Sequence, residues 1–279
     1  MTRILKLVWV IVLTSMGMSN LFAQSSDWYI GFTDGTDWMD VLKQAGFNTD
    51  TVCYPTFLCP EEPEGYRWFY DLEPRTGDRV EVSIGKSLGE YRAELALVLA
   101  TNEIRQVYDS LTFLDYSPVV LDENSQYFSE VESWIGSILV NGLMLNTYRD
   151  FRMSNSIPLT TYIGVGLGVS RVQIEDLFFW ASYGCDNINE PCVDQQISRF
   201  NVYQHTDLED VVWALNVSAG IDYEINSQLL MGLKLVHRKT DDLVQSASYL
   251  RHPIPDATNT TRISKLNSWS LSLSIKIKR

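Results

Sequence analysis

Residues 269–278 read WSLSLSIKIK. Trp269, Leu271, Leu273, Ile275 and Ile277 fall on one face of an extended chain, and Ser270, Ser272, Ser274, Lys276 and Lys278 on the other. Successive side chains of a strand point to opposite sides, so this strict alternation predicts a β-strand with one apolar face. The same period returns upstream. Val211, Trp213, Leu215, Val217, Ala219, Ile221 and Tyr223 oppose Ala214, Asn216, Ser218, Gly220 and Asp222, and Leu229, Met231, Leu233 and Leu235 oppose Leu230, Gly232, Lys234 and Val236. Ile163, Val165, Leu167 and Val169 oppose three glycines and Ser170, while Leu95, Leu97 and Leu99 oppose Glu94, Ala96 and Val98. Segments over 80–88 and 28–32 and a less regular one over 132–148 bring the set to eight. Most are long enough to cross a bilayer as tilted strands of about 9–11 residues.

The connections are sorted by length. Short links at 88–91, 149–157 and 224–228 alternate with long ones over about 33–77, 105–130, 175–210 and 239–267, and both ends of the strand set lie on the short-link side. An outer-membrane barrel distributes its links in this way, and an even number of strands closes the sheet without an exposed edge. The fold expected is all-β: a transmembrane antiparallel eight-stranded β-barrel with four long extracellular loops and three short periplasmic turns.

Three features turn the apolar face toward lipid rather than toward the inside of a soluble, ligand-carrying barrel. The opposing face is built of Ser, Gly, Ala and Asn with a few charges, which suits a narrow lumen better than a solvated exterior. Tryptophans stand at strand ends: Trp213 and Trp269 toward the long links, Trp28 at the opposite end with Tyr223, and Trp134 near a strand entry. This is the placement of interfacial aromatic girdles. Charges on the apolar face, Lys86, Arg171 and His237, occur only near its rims, where lipid exposure costs about 0–1 kcal/mol against about 2–4 kcal/mol for Lys or Arg at the midplane.

The 279 residues carry 22 Lys and Arg against 35 Asp and Glu, a formal net charge of −13, which leaves no basic surplus for nucleic acid. Residues 1–23 order two cations, an apolar block over 7–13 and a final Ala23, the pattern of a secretory signal; the barrel domain is expected over 24–279. Export would place the cysteines in an oxidising compartment.

The run PLTTYIGVGLGVS at 158–170, with SILVNGLMLNTYRDF before it and the terminal strand, resembles the OmpA-like, opacity-type eight-stranded barrels of bacterial outer membranes. The resemblance extends over nearly all of the chain after the signal. It implies surface exposure and an adhesive, antigenic or membrane-stabilising role rather than catalysis. Such chains usually end in Phe or Trp, where this one ends Lys278-Arg279.

Candidate sites follow from the placement of charge, sulfur and aromatic groups. Glu81, Arg92, Glu94, Asp222, Lys234, Arg238 and Lys276 would share the lumen and should pair there, since an unpaired buried charge is costly; a rearranging ion gate is the sharper alternative. Proximity favours disulfides Cys53–Cys59 and Cys185–Cys192, with a cross-link between the two loops as the alternative and zinc disfavoured by the spacing. Arg171, His237 and Lys239 form an outward rim that either meets lipopolysaccharide phosphates or snorkels. No metal or cofactor is expected. Ser170 or Ser182 with His237 is the nearest approach to a lipid-modifying active site, without a motif to support it.

The long links hold most of the acidity: ten acids against three bases over 33–78 and eight against one over 175–210. They are also aromatic, with Trp38, Tyr54, Phe57, Tyr66, Trp68, Phe69 and Tyr70 in the first and Phe178, Phe179, Trp180 and Tyr183 in the third. This composition suits either a surface for an extracellular protein or glycan ligand or a self-packed cap. The leading expectation is a non-enzymatic surface protein of the bacterial outer membrane, contacting lipid and lipopolysaccharide. An outer-leaflet lipid-modifying enzyme is the runner-up.

Overall fold

The computed structural model describes residues 27–59, 63–154, 157–185, 194 and 196–278; the signal segment and Cys192 lie outside them. The strands are β1 (Trp28–Met39), β2 (Leu42–Asn48), β3 (Phe57–Leu58), β4 (Tyr66–Pro74), β5 (Gly77–Leu88), β6 (Tyr91–Phe113), β7 (Val120–Leu121) and β8 (Tyr127–Trp134). They continue with β9 (Ser137–Ser154), β10 (Ile157–Cys185), β11 (Val202–Asn226), β12 (Leu229–Thr240), β13 (Leu243–Ser248), β14 (Thr258–Ile263) and β15 (Asn267–Lys278).

Eight of them close a ring. The order β1-β5-β6-β9-β10-β11-β12-β15 returns to β1, and every neighbouring pair is antiparallel. Tyr29 sits opposite Lys278, Leu88 opposite Tyr91, Ser154 opposite Ile157 and Asn226 opposite Leu229, so the tight turns share one end with both ends of the ring. Gly89 turns the first hairpin at φ 73°, a conformation that costs glycine little. Asn226 turns the third, its side-chain oxygen accepting the N–H groups of Gln228 and Leu229, each at 2.9 Å.

The alternating apolar residues face outward. On β15, Trp269, Leu271, Leu273, Ile275 and Ile277 are exposed while the four serines 268–274 and Lys276 are buried, and β6, β10, β11 and β12 repeat the pattern. A soluble carrier would need the opposite orientation. A closed sheet with an apolar exterior is a membrane-spanning barrel, since closure alone satisfies every backbone donor and acceptor in hydrocarbon.

The long links differ from simple loops. β6, β10 and β11 run 23, 29 and 25 residues, far more than a crossing needs. At about 3.3 Å per residue, β11 reaches roughly 80 Å. Beyond the ring, β13-β14-β2-β4 add to the far half of β6, and β8 adds to the far half of β10. Tyr203 of β11 pairs with Arg251 and ties the two groups together. The connections expected as loops therefore form a second β-walled chamber on top of the barrel.

One strand carries two opposed amphipathic patterns. Along β11 the outward residues run from His205, Asp207 and Glu209 to Val211, Trp213, Leu215 and Val217, while the inward ones run from Val202, Leu208 and Val212 to Asn216, Ser218 and Asp222. On β6, Leu95, Leu97 and Leu99 face out below Thr101, Glu103 and Arg105. The reversal marks where the outer medium changes from lipid to water. The interior follows it: Ile138, Val140, Val172, Ile174, Leu208 and Val212 form an apolar plug above the polar lumen.

Candidate functional site

The lumen holds a connected ionic network. Lys234 Nζ lies 2.5 Å from Glu81 Oε1 and 3.5 Å from Glu94 Oε1, and Arg79 reaches Glu81 at 3.1 Å. Tyr29 and Tyr148 donate their hydroxyls to Glu94 at 3.0 and 2.8 Å. Arg92 bridges Asp222 at 3.0 Å and Asp150 at 2.8 Å, and Lys276 also holds Asp222, at 2.6 Å. The Arg92 guanidinium stacks 4.6 Å from the Tyr162 ring centre and 5.2 Å from that of Tyr148. Arg238 is buried at the far end near Asp37, Arg79 and Glu81, with its Nε and Nη2 unpartnered. With Asp37 and Asp150 counted, the described lumen residues comprise five acids and five bases, so the network is neutral as a unit. The structure thus brings all seven sequence-predicted lumen charges inside, six of them in ion pairs with named partners.

Sequence reasoning missed Arg79, Asp37, Asp150 and the three tyrosines. Arg79 has the same parity as Glu81 and Ser83, which was the available signal. The tyrosines explain the glycines of the polar face: a Cβ on Gly85, Gly164 or Gly220 would lie 2.2–2.3 Å from the ring of Tyr29, Tyr148 or Tyr162. Each ring occupies the space that the neighbouring strand leaves by lacking a side chain.

Of the aromatic residues assigned to girdles, Trp213 and Trp269 are exposed on the far side of the apolar band, with Trp38 directly opposite Trp269. Trp28 and Tyr223 are exposed on the turn side, where Lys86 Nζ sits 5.6 Å from the Trp28 ring centre. Trp134 is not in either row. It ends β8, opposite Phe178 and nine positions along β10 from Val169, the residue level with Trp213. There it stacks on Phe178, well outside the apolar band, because the irregularity of 132–148 is a break between β8 and β9.

The basic rim is also only partly free. Arg171 is held by Glu209 through two hydrogen bonds of 2.5 Å, and this pairing keeps the Glu209 carboxyl below its usual range. His237 packs against Trp269 with ring centres 4.5 Å apart, and Lys239 is exposed. Ser170 is buried on the inner face while His237 faces out, so no serine–histidine pair is assembled there. His205, exposed in the outer wall, pairs with Asp176 at 3.3 Å.

A cavity of about 520 Å³ lies in the chamber above the apolar plug. Seven of the link aromatics line it: Tyr54, Phe57, Tyr66, Trp68 and Tyr70 from the first link, Phe179 and Tyr183 from the third. Tyr54 stacks on Tyr183 with ring centres 5.4 Å apart. Gly46 lets the Trp68 indole cross β2, since a Cβ there would lie 2.0 Å from Nε1. Between the rings stand neutral polar groups, among them Gln44, Asn48, Gln106, Gln204, Tyr249 and Asn259. None of the lining residues is Asp, Glu, Lys, Arg or His.

Behind the wall, Asp50 and His252 form a buried pair at 3.2 Å. The Ile254 N–H donates to His252 Nδ1, which leaves the ring proton on Nε2 facing Asp50. Tyr54 donates to Asp50 at 2.6 Å, and burial, reinforced by that carboxylate, raises its phenol well above the usual value. Burial likewise pushes the Tyr249 phenol up to about 12, partly opposed by the amides of Asn259 and Asn48.

Cys53 and Cys59 form a disulfide with Cα atoms 5.8 Å apart beside this cluster. Cys185 is disulfide-bonded as well, while its expected partner Cys192 is outside the described residues.

No family model and no curated protein matches this sequence. Solved structures of similar strand arrangement include Neisserial surface protein A, at 10% identity and TM-score 0.40, with 91% of this chain and 98% of that one covered. OprG from Pseudomonas aeruginosa is 11% identical at TM-score 0.43, with 91% and 98% covered. The outer membrane protease OmpT from Escherichia coli is 6% identical at TM-score 0.45, with 94% and 99% covered. The chain is similar to these barrels in arrangement, and its own eight-membered ring of strand pairings defines its fold.

Proposed function

We propose that this chain is a non-enzymatic surface protein of the bacterial outer membrane, adhesin-like in the sense that it displays a ligand-binding chamber to the outside. The observation that carries this reading is the chamber itself. Strands continue past the apolar band at one end only, opposite the three tight turns, and there enclose a cavity whose described lining contains no charged side chain and no histidine. General acid–base or metal chemistry uses such groups, whereas shape and neutral hydrogen bonding suffice for binding. The plugged, charge-paired lumen supports a structural role for the barrel rather than conduction. Lipid and lipopolysaccharide are its surroundings, met at the rim by exposed Lys239 and by Arg171 in its pair with Glu209.

Cell-surface labelling tests the orientation. An epitope inserted at Tyr116, in the exposed turn after β6, should be reached by antibody on intact cells, and one inserted at Gly89 only after the outer membrane is opened. The reverse pattern, or recovery of the protein solely from the soluble periplasm, would overturn the reading.

A further inference from the structure

We propose that the chamber binds a short, uncharged oligosaccharide, admitted sideways through a window between β6 and β8. This deepens the binding reading above. It stands on four features of the chamber.

The window is a gap in the strand pairing. β6 pairs with β9 only as far as Glu103 opposite Ser137; beyond that point its one strand partner is β4, and β8 pairs only with β10. The two remaining edges face each other. Ser133 Oγ donates to Gln106 Oε1 at 2.8 Å across the lower end, and the Phe113 N–H donates to Ser117 O at 2.9 Å to close the upper end against the following turn. Tyr108 and Val131, on opposite sides of the gap, are exposed and also line the cavity.

The lining has the wrong composition for an ion. In a chain with 35 acids, no acidic or basic side chain among the described residues reaches the cavity surface. A sulfated or carboxylated ligand would enter without a counter-ion, and burial would penalise it.

The lining is also wrong for a purely apolar guest. Asn259 is 4% exposed and its Oδ1 has no partner. Its orientation is fixed: Gln204 Nε2 donates to Ser248 O at 3.3 Å, so Gln204 Oε1 faces Asn259 and takes its Nδ2 at 2.5 Å. An acceptor is therefore left over, and a hydrocarbon would leave it dry. Tyr249 OH accepts from Asn48 Nδ2 at 3.3 Å and keeps its own proton to offer. A hydroxyl group, both donor and acceptor, complements this pair.

Aromatic faces complete the match. A pyranose ring presents apolar C–H faces and a hydroxyl edge, and the cavity combines Trp68 and Tyr70 with Gln44 and Gln106. Its volume of about 520 Å³ lies within the roughly 300–1,000 Å³ of small-ligand sites.

The test uses the full-length protein, purified in a detergent without a sugar headgroup. It is applied to an array of neutral gluco-, galacto-, manno- and N-acetylglucosamine oligomers printed beside sulfated and sialylated ones. Hits are titrated by tryptophan fluorescence. Neutral oligomers should bind. Asn259→Leu should weaken them at least tenfold, and Ser129→Trp, which fills the window from a half-buried position, should abolish saturable binding in a protein that keeps its heat-modifiable gel mobility. Trp134→Ala, outside the chamber, should bind as wild type does. Binding confined to acidic glycans, no glycan binding, or hits indifferent to both chamber variants would each overturn the proposal. Binding of a fluorescent fatty acid that Ser129→Trp blocks, with no glycan bound, would refute the oligosaccharide and leave a ligand chamber standing. The assay is independent of membrane sidedness, so failure of the cell-surface test is separable from it.

Discussion

Replacing Lys234 with Met removes the cation that two buried carboxylates share. Glu81 keeps Arg79 at 3.1 Å, but Glu94 is left with the hydroxyls of Tyr29 and Tyr148 and no ion-pair partner. Those hydrogen bonds stabilise a carboxylate without neutralising it, and the lumen passes from balanced to one net negative charge. Breaking a buried pair by removing one partner costs about 3–5 kcal/mol, whereas removing both often costs little. The phenol donors place Lys234→Met near the lower end, about 3 kcal/mol, or roughly a hundredfold in the folding equilibrium. Lys234→Met with Glu94→Gln restores neutrality and leaves a partner for both tyrosines, one hydroxyl donating to the amide oxygen and the other turning to accept from the amide nitrogen, so about 2 kcal/mol of the loss should return. Reversible urea unfolding in lipid vesicles, followed by tryptophan fluorescence, gives both values. A loss under 1 kcal/mol for the single variant, or a double variant no better than the single, would refute charge balance as the principle of the lumen.

Three further outcomes follow. Val217 lies near the middle of the outward apolar run of β11 and Val211 at its far limit, so Val217→Arg should cost about 2–4 kcal/mol and Val211→Arg about 0–1 kcal/mol in the same assay; equal costs would mean that the lipid boundary is misplaced. Cys53→Ala opens a small loop whose closure stabilises by roughly 2 kcal/mol in the chain-entropy model, and limited proteolysis should then cut near this segment while the barrel's heat-modifiable mobility is unchanged. Burial raises the Tyr249 phenol from 10.0 to about 12, so the unfolded chain loses that proton first; the contribution is whole below pH 10 and is lost as pH rises from 10 toward 12. Phenolate absorbance on alkaline titration should show chamber tyrosines ionising only as the chamber opens, and free titration near 10 would contradict their burial.

The barrel was legible because lipid imposes one rule on its whole outer face. Apolar residues of one parity, rims marked by Trp213 and Trp269, and links sorted by length all derive from that boundary condition, and they specify strand number, topology and facing. The chamber was illegible for the same reason. Beyond Val211 the outer medium is water, the parity of the apolar residues reverses, and the mixed segment no longer alternates in the expected sense. Links 105–130 and 175–210 therefore read as loops although their strands continue without a break. Trp134 reads as a girdle residue from its strand-end position alone, and the reversal puts it outside the apolar band. Composition fits the aromatic links equally to a binding surface and to a packed cap; in the structure they pack around one cavity, with the Tyr54–Tyr183 stack at the end away from the plug.

The sign of the alternation thus carries information that its period does not. A strand that crosses from lipid into water must exchange its inner and outer patterns, since the lipid-facing side excludes charge away from its rims and the water-facing wall must bury its apolar residues inside. On β11 the exchange is completed between Leu208 and Asn216, and on β6 it falls near Thr101, level with the onset of the apolar plug. The plug is a consequence of that exchange: the apolar residues that leave the outer face reappear inside and seal the lumen. A chain that extends its barrel strands into water in this way separates a closed tube from an upper space walled by the same strands. The upper space borders water above the plug, while the ionic lumen below it is sealed by those same apolar residues.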